Sequence, residues 1–213
     1  MVAVIKAAAK AGDSLGGVAE VVAHGVPVGL GSHVHWDRRL DALLAQALMS
    51  IQAIKAVEIG DGSEVAGLRG SEAHAAIRVV DPAADESEEA AALMGGGYVR
   101  DTHRAGGIEG GMSTGSPIVA RLSMKPLASL NRPTLGTVDV VTKESTVSFK
   151  ERTDVTAVPA MGVVAETMTA LVLASEALRK FGGDSVDEFR RNYASYVASL
   201  GETPSAARPL TDG

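Results

Sequence analysis

Residues 104–126 read RAGGIEGGMSTGSPIVARLSMKP, and two kinds of backbone meet in that run. Gly106, Gly107, Gly110, Gly111 and Gly115 fall within ten residues. Such density lets the chain take positive φ and turn successive N–H groups toward an anion or a flat heterocycle, or else it makes a tight structural turn. The spacing is neither G-x-G-x-x-G nor a phosphate loop ending in Gly-Lys-Ser/Thr. Directly afterwards Ile118, Ala120, Leu122 and Met124 alternate with Val119, Arg121 and Ser123, which predicts a strand with one apolar and one mixed face. Lys125-Pro126 follows as a rigid turn, because the proline ring fixes φ, and it aims the Lys125 ammonium in one direction.

On the N-terminal side of this run, residues 2–11 hold Ala, Val, Ile and Lys and then meet Gly12-Asp13, which predicts a helix closed by glycine. The Val-rich stretch 16–28 predicts a strand and turn. From Asp37, read as an N-cap, Leu40, Leu43, Leu44, Ala47, Leu48, Ile51 and Ile54 share one helical face. Val57 and Ile59 form a short strand stopped by Gly60-Asp61-Gly62, and a helix is expected over 71–78. Asp81, Asp85, Glu86, Glu88 and Glu89, followed by Gly95-Gly96-Gly97, mark a solvated insertion at about 79–98.

On the C-terminal side, strands over 134–142 and 146–150 suggest an antiparallel meander. A long helix over 160–181 ends at Gly182-Gly183, and Asp184 or Ser185 caps a second with the stripe Val186, Phe189, Tyr193, Tyr196, Val197 and Leu200. Residues 201–213 read as a flexible tail. Strands grouped apart from helices predict an α+β class, an antiparallel sheet layered with helices, rather than a Rossmann repeat.

Composition narrows the function classes. The 213 residues are 46% apolar and 22% charged, which excludes disordered and fibrous chains. One Trp, three Tyr and three Phe leave an aliphatic core and no aromatic platform for nucleic-acid bases. A net charge of -6 repels polyanions. The absence of cysteine excludes disulfides, thiolate metal sites and cysteine nucleophiles. The most apolar stretch, 155–178, is interrupted by Glu166, threonines and Ser175, short of a membrane span, and residues 1–12 lack the pattern of a secretory leader. A cytoplasmic protein with no nucleic-acid or membrane partner is expected.

Within this acidic chain Lys125, Arg132, Lys150 and Arg152 fall at strand ends or loops. Either they gather into a cationic pocket or each is a solvated strand-end charge. One such charge about 4 Å from a phosphate contributes roughly 4 kcal/mol at a surface-like dielectric. Arg152-Thr153-Asp154 sets a guanidinium near a carboxylate, an expected ion pair that keeps Asp154 ionised, able to accept hydrogen bonds or orient a cofactor. His33 and His35 with Asp37 lack a third ligand at metal spacing, so no metal site is expected. His103 adjoins the glycine run.

Gly12-Asp13-Ser14-Leu15-Gly16-Gly17, Gly29-Leu30-Gly31-Ser32, Met49 to Lys55, Val57-Glu58-Ile59-Gly60, the Arg104 to Gly115 loop, Met124-Lys125-Pro126 and Arg152-Thr153-Asp154 running into Ala157-Val158-Pro159 occur in one order. Together they resemble the C-terminal part of the chorismate synthase family in its actinobacterial form, over residues 11–200 apart from the acidic insertion. The resemblance implies an incomplete version of that family's β-α-β sandwich, with 1–200 as the C-terminal portion of its domain. It implies the anti 1,4-elimination of phosphate from 5-enolpyruvylshikimate 3-phosphate to chorismate, in aromatic amino acid biosynthesis, with reduced FMN required and NADPH as its reductant. It further implies a homotetramer at full length. Gln52, Ala53, Gly110, Lys125, Pro126, Leu127, Ala128, Ser129 and Arg152 take the FMN-binding positions, and Asp154 takes the position of the acidic catalytic residue near the reactive flavin nitrogen.

The chain departs from the family pattern at His103 and Thr114, where asparagine is usual, and Lys125 to Ser129 carries fewer hydroxyls than the common form. The family's two catalytic histidines and several of its basic residues belong to an N-terminal half with no counterpart here. Little or no turnover by this polypeptide alone is therefore expected. The alternative is an inactive remnant that serves as a flavin-binding or interaction module.

Overall fold

The computed structural model describes residues 1–80 and 95–200. In chain order its elements are α1 (Val2–Ala11), β1 (Gly17–Ala23), α2 (Leu40–Met49), β2 (Ile54–Ile59), the single turn α3 (Gly70–Ala73), β3 (Ile77–Val79), β4 (Tyr98–Arg100), β5 (Ile108–Glu109), β6 (Met112–Ser113), β7 (Ile118–Met124), β8 (Gly136–Val138), β9 (Ser145–Val147), α4 (Val158–Phe181) and α5 (Val186–Ser199). The mixture of helices and small sheets is α+β, as the grouped pattern predicts. The chain divides into two compact units, Met1–Val21 with Leu44–Glu58 and Ala120–Ala170, and Val22–Leu43 with Ile59–Val119 and Leu171–Gly213.

The first unit is built on the sheet ordered β1-β7-β2. β7 is the alternating strand of the sequence, and as the middle strand it buries Ala120 and Leu122 completely. Ala8, Val21, Leu44, Leu48, Ile54, Met161 and Ala165 are the other buried apolar residues of this unit. A core of such residues follows from a sequence with few aromatics. β8 and β9 pair antiparallel, with Gly136 opposite Val147 and Val138 opposite Ser145. This hairpin is its own two-stranded sheet, not part of a meander with β7. The predicted strand over 134–142 stops early because Asp139 Oδ1 accepts from the amides of Val141 and Thr142, which turns the backbone.

The second unit is pinned by two buried polar groups. Ser113, 2% exposed, donates its hydroxyl to Pro27 O at 2.5 Å and accepts from Leu30 N at 2.8 Å. Glu176, 7% exposed, accepts from Gly31 N at 3.1 Å and from Arg179 Nη2 at 2.7 Å, while the same Nη2 donates to Gly31 O at 2.8 Å. Burial of this carboxylate is tolerable because it is paired and hydrogen-bonded together. Ser185 caps α5 by accepting from Glu188 N. Phe181 sits edge-on to Phe189 and Tyr193 and tilted against Tyr196, gathering four of the seven aromatic residues into one cluster.

Several expectations need correction. Asp37 does not cap α2: it lies in a short 3-10 turn, and the helix begins at Leu40 with Asp41 in its first turn. Ile51 and Ile54 leave the helix because the chain turns at Ala53, whose φ is 67°, and Ile54 opens β2 instead. Over 71–78 the helix is one turn only, since Ile77–Val79 pairs with Tyr98–Arg100. The insertion expected at 79–98 is narrower at its ends, because Val79 and Tyr98 are register partners. Its centre, 81–94, and the tail 201–213 lie outside the described residues. Contrary to the sequence reading, α4 is long and apolar enough by length and composition to cross a membrane. Met161, Ala165, Thr169 and Glu176 mark one buried stripe along it, with Val163, Leu171 and Leu178 exposed.

Ser113→Ala removes a partner from a buried amide and a buried carbonyl at once, so it should lower stability by about 1–3 kcal/mol in chemical unfolding. Acid sensitivity has a separate source in Asp41, whose carboxyl is held below the usual aspartate range by hydrogen bonds from Arg39. A depressed native value means the stabilisation is complete above the ordinary aspartate range and is lost as pH falls through the native value. Thermal melts of Asp41→Asn should therefore fall below wild type at neutral pH and converge with it in strong acid.

Candidate functional site

The local geometry starts at the end of α1. Gly12, at φ 69°, closes the helix, and the chain then enters the loop Asp13-Ser14-Leu15-Gly16. Every residue of this loop is committed. Gly12 O accepts from Asn131 N at 3.2 Å, Ser14 Oγ donates to Leu127 O at 2.6 Å, and Leu15 N donates to Val155 O at 2.7 Å. A Cβ on Gly16 would stand 2.3 Å from Met124 O and 3.0 Å from Pro126 Cδ, so only glycine admits the 124–126 backbone there. Two further bonds lock the same segments: Lys125 N donates to Ala53 O at 2.9 Å, and Glu151 N donates to Leu130 O at 3.1 Å.

These contacts bring Gln52-Ala53, Lys125 to Ser129 and the Arg152 to Asp154 segment together within the first unit. Ala53 needs its positive φ, about 1–3 kcal/mol of strain for a non-glycine residue, to present its carbonyl to Lys125. Gly110 belongs to the second unit, at the turn between β5 and β6, with open space where a Cβ would be. Lys125, Pro126, Ala128, Arg152 and Asp154 are exposed, while Leu127 and Ser129 are half-buried. A concave pocket of about 330 Å³ lies beside them, lined by Ala128, Ser129, Leu130, Thr137, Ser148, Phe149 and Glu151.

The donor set here fits a phosphate-bearing cofactor. The carbonyls of Leu127 and Leu130 are consumed by Ser14 and Glu151, whereas the amides of Leu127, Ala128 and Ser129 donate to no acceptor among the described residues. Lys125, Arg132, Lys150 and Arg152 likewise have no carboxylate within 4.0 Å among the described residues. A run of free amides beside unpaired cations is what an oxyanion requires. The expected Arg152–Asp154 ion pair is absent, because Glu151 and Val155 are each tied to a different strand of backbone and the side chains between them stay in solvent. Asp154 is an exposed, uncommitted carboxylate.

The glycine run has a different explanation over much of its length. A Cβ on Gly106 would lie 2.3 Å from Gly60 N, and one on Gly60 would lie 2.1 Å from Arg104 O, so these glycines permit two backbones to touch. Among the described residues there is no cluster of three or more metal-ligating side chains, and His33 and His35 sit exposed in a loop. Sequence reasoning assigned no role to Ser14; its only signal was a Gly-Asp-Ser triplet directly after a helix.

Comparisons with known proteins address the chain as a whole. The family described as Chorismate synthase matches residues 1–178. The chain is 57% identical over 200 residues to a chorismate synthase of Salinispora tropica, covering 94% of this chain and 47% of that protein. It is 53% identical over 216 residues to one of Corynebacterium jeikeium, covering 100% of this chain and 48% of that protein. A crystal structure of a chorismate synthase superposes with a TM-score of 0.74 at 40% identity, over 95% of this chain and 48% of that one. The chain thus spans about half the length of the relatives it matches. With family profile, sequence identity and backbone all coinciding over nearly its whole extent, it belongs to the chorismate synthase family.

Proposed function

We propose that this chain supplies the FMN-binding side of a chorismate synthase site, for the anti 1,4-elimination of phosphate from 5-enolpyruvylshikimate 3-phosphate. The observation that carries the reading is the ledge Lys125 to Ser129, where backbone amides with no acceptor among the described residues lie beside an exposed, unpaired ammonium. Lys125 and Arg152 neutralise phosphate charge, and the amides of Leu127, Ala128 and Ser129 donate to phosphate oxygens. Gln52 and Ala53 border the ledge through the Ala53 carbonyl that holds Lys125. Pro126 keeps the turn rigid. Asp154 accepts a hydrogen bond from a nitrogen of the flavin and orients it. Reduced FMN, when bound, lends electron density to the breaking carbon–oxygen bond and is recovered unchanged.

NADPH as the reductant, assembly as a homotetramer and a cytoplasmic location belong to the same reading. The histidines that the family places in its N-terminal half have no counterpart among these residues, so turnover calls for a polypeptide that carries that half. The rival reading is a flavin-binding or interaction module with no elimination activity, and the half-length match to the relatives keeps it in view. Phosphate release from the substrate with reduced FMN, measured with and without a separately produced N-terminal half, decides between them. Activity on mixing supports the enzyme; silence under both conditions supports the module.

The ledge itself is tested by FMN titration. Arg152→Ala and Lys125→Ala each remove a charge-assisted contact and should weaken binding by about 10- to 100-fold, while Lys150→Ala changes it less. Ser14→Ala leaves every proposed ligand contact in place but frees Leu127 O. It should lower the melting temperature by about 2–4 °C and weaken FMN binding as well. Unchanged affinity in Arg152→Ala and Lys125→Ala would show that FMN does not use this ledge.

A further inference from the structure

A second, smaller cavity lies wholly within the second unit, and it has no part in the reading above. It is bounded by Arg100 and Thr102 at the end of β4, by His74 and His103, and by Glu109 and Thr114 on the glycine run. Its free volume is about 20 Å³. That space admits one water molecule and excludes phosphate or any organic ligand, since a water needs roughly 10–15 Å³ by this measure.

Two polar atoms of its wall are buried without a hydrogen-bond partner among the described residues, Arg100 Nε and Thr102 Oγ1. The rest of the Arg100 guanidinium is committed, with Nη2 donating to Glu109 Oε2 at 2.7 Å and Nη1 to Thr114 O at 3.4 Å. Glu109 balances the charge, so the cavity attracts a neutral dipole rather than an anion. Arg100 Nε–H is a donor only and demands an acceptor; the Thr102 hydroxyl both donates and accepts. Leaving both unmet would cost the full desolvation of each group, and both atoms belong to residues that line the same water-sized cavity.

We propose that this cavity is a binding site for one ordered water, bridging Arg100 Nε and Thr102 Oγ1. The water fastens Thr102, just beyond β4, to the Arg100–Glu109 pair, and that pair joins the end of β4 to the β5–β6 turn. It acts as a positioning element for that turn.

Oxygen-17 relaxation dispersion on the intact chain counts long-lived internal waters. Thr102→Val, which keeps the shape and removes the hydroxyl, should lose one such water, and Thr102→Ser should retain it. The sign of the thermal shift is a second discriminator. With a bridging water, Thr102→Val lowers the melting temperature; with a dry cavity it removes an orphaned hydroxyl and raises it, by about 2–4 °C either way. If Thr102→Val does not fold, a crystal structure of the wild-type chain decides: density within about 3.2 Å of both atoms supports the site. A dry cavity, an unchanged water count in Thr102→Val, or a bromide ion taking the position in a soaked crystal would each overturn the proposal.

Discussion

The hydrogen bond from Ser14 to the Leu127 carbonyl is the constraint on which the ledge depends. Residues 125–131 and 148–157 include no helix and no strand, so their backbone polar groups have no ladder to enter. Buried backbone groups without partners are costly, and an irregular segment left unpinned samples many conformations. The loop after α1 meets both demands. It engages Leu127, Asn131 and Val155 in five residues, and Gly16 lets the 124–126 backbone lie against it. Ser14 takes the Leu127 carbonyl and Glu151 takes that of Leu130, while the amides of Leu127, Ala128 and Ser129 donate to no acceptor among the described residues.

The same economy explains why a glycine-rich run need not be a ligand cradle. In the second unit Gly60 and Gly106 touch backbone to backbone, and Thr114 is hydrogen-bonded to Gly107 O through both its amide and its hydroxyl. This is a packing solution for a loop that doubles back on itself between β4 and β7. Gly110 is the exception, with nothing within 4 Å of its missing side chain. A glycine crowded by its own protein and a glycine facing open space have different reasons to exist, and composition does not distinguish them.

That distinction also measures how far the sequence could be read. Helix ends at Gly12, Gly182 and Ser185 are legible because capping is decided by residues within one turn of the boundary. The strand 118–124 is legible because its period of two is unbroken and Ile118, Ala120 and Leu122 on one face are buried. The helix expected over 71–78 fails because β3 is stabilised by β4, across an interval no local pattern senses. Ile51 and Ile54 continue a helical spacing by coincidence, since the positive φ at Ala53 is a decision of the tertiary structure. At the site, the residue identities are readable through likeness to a family, and the cations through their contrast with an acidic chain. What holds them is not readable, because Ser14 and Leu127 are 113 positions apart.

Charge pairing separates the cations further. Arg39, Arg78, Arg100, Arg104, Arg121 and Arg179 each meet a carboxylate. Most of these pairs are partly exposed and contribute little to stability, about 0–1 kcal/mol apiece, but each cancels a positive field locally. Lys125 and Arg152 are spared that cancellation. In a chain of net charge -6 the distant field is negative, yet at physiological salt it is screened beyond about 8 Å. Within that radius an oxyanion meets the unpaired cations and the free amides first. The acidic surface and the anion-binding ledge are therefore compatible, since distant carboxylates are screened while Lys125 and Arg152 have no carboxylate within 4.0 Å among the described residues.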